Sequence, residues 1–408
     1  MSSNSSSKSF EETLEFLKTY VEPVKDTRLV PLSESLSYFL AEDIICPINI
    51  PAFDNSAMDG WAFSSKDILP EGFTLKEVGS SFAGHPFLGE LKTGECVRIM
   101  TGGKVPEGAD TVVMQEQVTA HAKEIAFPSG VKKGQNVRKK AEEFAKGAVC
   151  MEKGTRIMPP HINFLATLGI PEVLVFRKVR VAFFSTGDEL QSLGSPLKDG
   201  HIYDSNRYAI RALLESAGFE TKDLGIVKDN PESLKETFQK AADCADAVIT
   251  SGGVSVGKAD FTRTVVEELG ELVQWQCRIK PGRPLAIGKI GESYFFGLPG
   301  NPTATQITFL VIVKQALQLL ANAKDVSMQY AEAEATEKMK KREGHTEFLR
   351  GILYTENGKA KVRSAGSQKT GASASMITAN CLIYLPEDHG PVQPGETLLV
   401  VPFQGVYQ

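Results

Sequence analysis

Hydrophobic and polar positions follow two different periods along this chain, and the change of period marks its elements. SFEETLEFLKTYV (9–21) spaces apolar residues at helical intervals behind Ser9, with Glu12 three residues on, the pattern of a capped amphipathic helix. A second short helix is expected at about 33–41. From Ile44 to about Gly147 the helical period disappears. FTLKEV, ECVRIM, DTVVMQEQV and KEIAF are β-prone runs separated by turns such as Pro106-Glu107-Gly108, which predicts a small β-rich domain. A short helix is expected at 161–169, ahead of Pro171. Over 178–326 strands and helices alternate: strands at 179–184, 219–227, 246–250, near 272–279 and 284–288, and at SYFFG; helices from Asp204–Asn206 to Ala217, from Pro231, over 260–269 and over 302–322. That rhythm predicts a mostly parallel sheet covered on both faces, with ligands bound beyond the carboxyl ends of its strands. The C-terminal stretch (FLRGIL, KVRS, CLIYLP, ETLLVVPF) returns to short strands and predicts a small β-barrel.

Composition narrows the functional classes. The chain has 408 residues, which predicts two to four domains, and its 42% hydrophobic and 23% charged content is that of a globular protein. A formal net charge of −5 argues against a general nucleic-acid binder. The six cysteines (Cys46, Cys96, Cys150, Cys244, Cys277, Cys381) form no C-x-x-C pair, so neither structural zinc nor a disulfide framework is expected. MSSNSSSKS lacks the apolar core of a signal peptide, and no run of about 18 apolar residues is present. The expectation is a soluble cytoplasmic protein without a membrane partner.

Three loops that follow predicted strands carry candidate chemistry. FFSTGDEL (183–190) places Asp188 and Glu189 after a buried strand, where they serve a ligand or simply cap a helix. TSGGVSVGKADF (250–261) matches a nucleotide-binding P-loop from Gly252 to Lys258, but Ala259 stands where a metal-binding hydroxyl is required, and Asp260 follows. Gly252 and Gly253 permit a turn with converging N–H groups, and Ser251 and Ser255 add hydroxyl donors. This fits an anion cradle better than a nucleotide triphosphatase site. KPGRP (280–284) and GLPGNP (297–302) form rigid turns with Lys280 and Arg283 offering positive charge. Acids and bases around an anion cradle indicate metal-assisted phosphoryl or nucleotidyl chemistry.

STGDEL, TSGGVSVG, ADFT, IKPGRPLA and GLPGNP, together with PAFDNSAMDGWA (51–62), SFAGHPF (81–87), RIMTGGKVPEGADTVVMQEQ (98–117) and HIYDSNRYAI (201–210), closely resemble the molybdopterin molybdenumtransferases, the family of the bacterial MoeA proteins and the E domain of gephyrin. The resemblance covers the chain from about residue 10. It implies a multidomain α/β fold: a linker and dimerisation domain (8–45 and 145–177), a β-rich domain (46–144), a doubly wound molybdopterin-binding domain (178–326) and a C-terminal β-barrel domain (327–408). It implies insertion of molybdate into adenylylated molybdopterin with release of AMP, dependence on Mg²⁺, a homodimer, and contact with the molybdopterin adenylyltransferase. Carried over by motif, Asp59, Glu189, Asp229 and Asp260 are the expected catalytic carboxylates, with Glu189 and Asp260 as metal ligands. Thr101, Ser251, Gly252, Gly253, Ser255, Lys280, Arg283, Pro299, Pro302, Arg350 and Ser375 are the expected substrate contacts. The resemblance also leaves Lys258 without a role. Three positions depart from the family pattern: Ala141 where Gly is usual, Glu143 where Asp is usual, and Gln276 where Lys is common. The alternatives are a P-loop-like ATPase and a catalytically weak, gephyrin-like scaffold.

Overall fold

The computed structural model describes residues 7–254, 261–369, 371 and 373–403. It divides into two compact units, Glu42–Lys153 with Asn163–Pro171, and the remainder of the chain.

In the larger unit the central sheet runs in the order Glu220–Val227, Arg180–Thr186, Ala247–Ser251, Ser293–Leu298, Pro284–Ile290, Gly270–Lys280. The first four strands are parallel and the last two antiparallel. Strand period decides which face each residue covers. Val181 and Phe183 pack with Ile210 and Leu214 of helix Asn206–Ser216 and with the helical run Pro302–Leu320. Ala182 and Phe184 point the other way, onto Leu234 and Phe238 of helix Pro231–Ala242 and Val265 and Val266 of helix Phe261–Leu269. The sheet is therefore wound on both sides. Pro302–Leu320 is long and apolar enough to span a membrane, yet 83% of its most apolar stretch is buried within the fold. It is the core helix of this layer.

The C-terminal strands close on themselves. Thr346–Glu356, Lys359–Ser364, Ala331–Ala335, Thr397–Pro402 and Cys381–Leu385 are neighbours in that order, and Cys381–Leu385 pairs back onto Thr346–Glu356. This is the expected barrel. It joins the central sheet through the parallel pairs Ile279↔Thr346 and Lys280↔Glu347. Helix Phe10–Tyr20 begins with the capping box read from its sequence, Ser9 and Glu12 each satisfying the other's backbone N–H. The helix expected at 33–41 does not form: one 3₁₀ turn, Leu32–Glu34, is followed by bridges at Phe39 and Leu40. There Leu40 bonds the Thr155 carbonyl and Phe39 pairs with Arg156, so pairing with distant strands displaces the local helical preference.

The smaller unit contains a six-stranded sheet built from the β-prone runs, Gly60–Phe63, Phe73–Ser81, Glu95–Ile99, Thr111–Met114, Thr119–His121 and Glu124–Phe127. Phe73 and Phe127 stack in its core, with Phe63 edge-on to Phe73 and tilted against Phe127. The short helix expected at 161–169 forms as Pro159–Thr167.

Candidate active site

Parallel register aligns the strand ends of the larger unit. Ser185 lies beside Ser251, and Ser251 beside Leu298, so the loops after all three strands leave the sheet at one edge. The antiparallel strand Pro284–Ile290 starts at the same edge, Ala286 lying opposite Gly297. The KPGRP turn therefore joins the GLPGNP turn. Lys280, Arg283 and Pro299 line one cavity of about 450 Å³ there. Pro302 opens the core helix from Asn301.

Gly252 and Gly253 sit at φ +88° and +65°, where L-residues are strained. A Cβ on Gly252 would overlap the Thr186 carbonyl oxygen, and one on Gly253 would overlap Thr262 Oγ1. Glycine is required at both. The reading of the loop as converging free N–H groups needs one correction, because the Gly252 N–H donates to the Leu298 carbonyl at 3.2 Å. Ser251 is also engaged: its Oγ accepts from Asn206 Nδ2 at 2.7 Å, and the same amide donates to the Gly300 carbonyl at 2.8 Å. Asn206 thus ties two loops of the cradle together. The sequence offered it only as part of a helix start. Its neighbour Asp204 is 1% exposed and accepts from Ser185 Oγ at 3.0 Å and from Arg207 Nε at 3.0 Å. Thr186 Oγ1, Thr250 Oγ1, Asn206 Oδ1 and Asn301 Oδ1 are buried here without a partner. Ser255 and Asp260 lie outside the described residues, as does Lys258.

The acidic loop settles one alternative. No helix follows Asp188 and Glu189; Leu190–Gln191 is instead a short strand paired with Ile202–Tyr203, so the acids do not cap a helix. Asp229 faces them. Burial, then the charges of Asp188 and Glu189, raise its carboxyl above the ordinary range. Three carboxylates thus lie at one end of the sheet within electrostatic reach, yet among the described residues no group of three Asp, Glu, His or Cys side chains is close enough to hold a metal unaided.

At the barrel end, Lys280 is not free as the sequence implied. Its Nζ lies 3.2 Å from both carboxylate oxygens of Glu347, a residue 1% exposed that sequence reasoning missed. Arg350 and Ser375 are together, as expected, with Arg350 Nε donating to Ser375 Oγ at 3.1 Å. Arg350 is 1% exposed and also donates to the Ser367 and Lys369 carbonyls. Lys280 and Arg350 line a second cavity of about 360 Å³. Gln276, the departure from lysine, accepts from Arg283 Nε at 3.3 Å and so steadies that guanidinium.

In the smaller unit Asp59 and Thr101 form one constellation. The Thr101 N–H and hydroxyl donate to Asp59 Oδ1 at 2.7 and 2.8 Å, and these bonds hold its carboxyl below the ordinary range. Ala141 occupies φ +65°, the conformation in which a glycine would be unstrained.

Comparison with known proteins matches three family descriptions in chain order: MoeA N-terminal region (domains I and II) over residues 8–169, probable molybdopterin binding domain over 182–319, and MoeA C-terminal region (domain IV) over 332–403. A molybdopterin molybdenumtransferase of Haemophilus influenzae is 43% identical over 380 residues, covering 92% of this chain and 94% of the relative. One of Nostoc sp. is 34% identical over 387 residues, covering 92% and 89%. The crystal structure of the molybdopterin biosynthesis MoeA protein of Pyrococcus horikoshii is similar with a TM-score of 0.83 at 29% identity, covering 97% of this chain and all of that one. With the wound sheet, the glycine cradle and the closed barrel each falling within the matched segments, the chain belongs to the MoeA family of molybdopterin molybdenumtransferases.

Proposed function

We propose that this protein is a molybdopterin molybdenumtransferase that inserts molybdate into adenylylated molybdopterin and releases AMP. The observation that carries the reading is the crowding of Asp188, Glu189 and Asp229 at the sheet edge where the glycine loop and the cavity of Lys280, Arg283 and Pro299 also lie. Gly253 and Ser251 would seat the phosphate end, and the rigid Pro299 and Pro302 turns would hold the cavity rim. Lys280, Arg350 and Ser375 would meet the tetrahedral molybdate dianion with charge-assisted donors. Thr101 would keep Asp59 ionised and aimed.

Hard carboxylate oxygens suit Mg²⁺, which ordinarily takes one or two carboxylates and completes its shell from substrate phosphate and water. Glu189 and Asp260 would hold it, and the ion would offset charge on the phosphate oxygens. The like charges of Asp188 and Glu189 acting on Asp229 support a cation at this edge, since a cation relieves that repulsion. The same reading includes the four-domain subunit, a cytoplasmic homodimer and contact with the adenylyltransferase that supplies its substrate. No observation favours the ATPase or scaffold alternatives.

The test is AMP release from adenylylated molybdopterin, with molybdate present or absent and Mg²⁺ present or chelated. Release that requires both supports the reading. Release indifferent to molybdate, or turnover of ATP alone, overturns it.

A further inference from the structure

We infer that Glu347 is the positioning residue for Lys280, fixing its ammonium on a wall shared by two cavities so that molybdate meets a preset donor. Lys280 and Glu347 are register partners in the two parallel strands that join the central sheet to the barrel, so their side chains emerge side by side. The Glu347 side chain is only 2% exposed, whereas that of Lys280 is 57% exposed. Both carboxylate oxygens lie 3.2 Å from Lys280 Nζ. Lys280 lines the sheet-edge cavity and the barrel cavity alike, and Glu347 lines the second.

The asymmetry of burial assigns the roles. A buried carboxylate without a partner is severely penalised, so Glu347 keeps hold of the ammonium. Of the other cations nearby, the two that are buried are engaged elsewhere: Lys341 donates to the Arg342 and His345 carbonyls, and Arg350 to Ser375, Ser367 and Lys369. Lys338 and Lys340 also line the second cavity but are not the strand-register partner of Glu347. A lysine otherwise surrenders the freedom of a four-carbon stem when it grips a ligand. Tethering Lys280 in advance removes much of that penalty and leaves its remaining N–H bonds directed outward. The pair is also neutral overall, so it attracts an oxoanion by directed donors rather than by excess charge.

This inference rests on the proposed reaction, and the experiment separates the two. Equilibrium dialysis of molybdate against the full-length protein, read by metal analysis, is independent of turnover; AMP release reports turnover. In Glu347→Gln, which preserves shape, molybdate should bind roughly five- to tenfold more weakly and its KM should rise equally, the loss of one pre-ordered side chain. The kcat at saturation and the KM for adenylylated molybdopterin should hold. In a Lys280→Gln background the same change should add nothing, because no ammonium remains to be positioned. Unchanged molybdate affinity in Glu347→Gln, equal losses in both backgrounds, or no molybdate binding by the native protein would overturn the inference. Molybdate binding without AMP release would overturn the reaction and leave the role of Glu347 standing on the dialysis.

Discussion

Asp59 and Asp229 are the same side chain held in opposite ways. Asp59 accepts two bonds from Thr101 in the smaller unit, and its acidity is strengthened. Asp229, in the larger unit, is partly buried beside Asp188 and Glu189, and its acidity is weakened. The difference teaches what each can do. A carboxylate with its charge satisfied by neutral donors stays ionised and fixed, as suits a positioning group. One crowded by like charge is poised to take a proton or a cation, and perturbed groups of that kind concentrate at reaction centres.

The sharpest way to break this contrast is to displace the glycine loop at the sheet edge where Asp229 lies. Gly252→Ala places a methyl group against the Thr186 carbonyl at a left-handed backbone position, so the loop must move. AMP release should fall by about 100-fold or more, the usual consequence of displacing a reacting group by an ångström. Normal turnover in this variant would show that the loop does not hold substrate.

Asp229→Asn comes next and separates stability from chemistry. Because the folded carboxyl titrates above its unfolded value, the folded chain holds more protons between the two, and stability falls as pH rises through that window. The variant should therefore gain thermal stability over wild type as pH rises above the ordinary carboxylate range. Its turnover should nevertheless drop by about 100-fold, within the range of general acid–base groups. Melting curves across pH, paired with AMP release, check both halves. A variant destabilised at neutral pH would mean that the crowding is already relieved in the folded protein.

Asp59→Asn should have the reverse signature. Its folded carboxyl titrates below the ordinary value, so the stabilisation is present above the unfolded value and lost as pH falls through the folded one. Turnover should fall by roughly tenfold or more if a fixed charge is needed there. Melting should be lowered at neutral pH, by a small amount because the group is solvent-screened, with the difference from wild type closing as pH falls. The smallest effect is expected at Ala141→Gly. Relief of its left-handed backbone should stabilise the smaller unit by about 1 kcal/mol, less the extra chain entropy of glycine, with turnover unchanged. A loss of stability in denaturant melts would show that the Ala141 methyl group makes contacts that outweigh the strain.

Local pattern determined much of this protein. The capping box at Ser9 and Glu12, the strand–helix alternation of the central sheet and the turn-separated strands of the barrel follow from side-chain period and backbone preference, which act over a few residues. The need for glycine at 252 and 253 was legible for the same reason, whereas Ala141 stood out only against the family pattern and its left-handed backbone emerged in the structure. What only the tertiary structure decided involves partners far apart in the chain. The segment 33–41 exchanges helix for bridges to Arg156 and Val175 because distant strands satisfy its backbone. Asn206 becomes a latch only once Ser251 and Gly300 are neighbours, and Asp229 becomes a poised acid only when folding brings Asp188 and Glu189 to it. Glu347 is one more acid in the sequence until a barrel strand pairs with the end of the central sheet and buries it against Lys280. Burial and electrostatic neighbourhood are properties of the assembled chain, and the chemistry of the site depends on both.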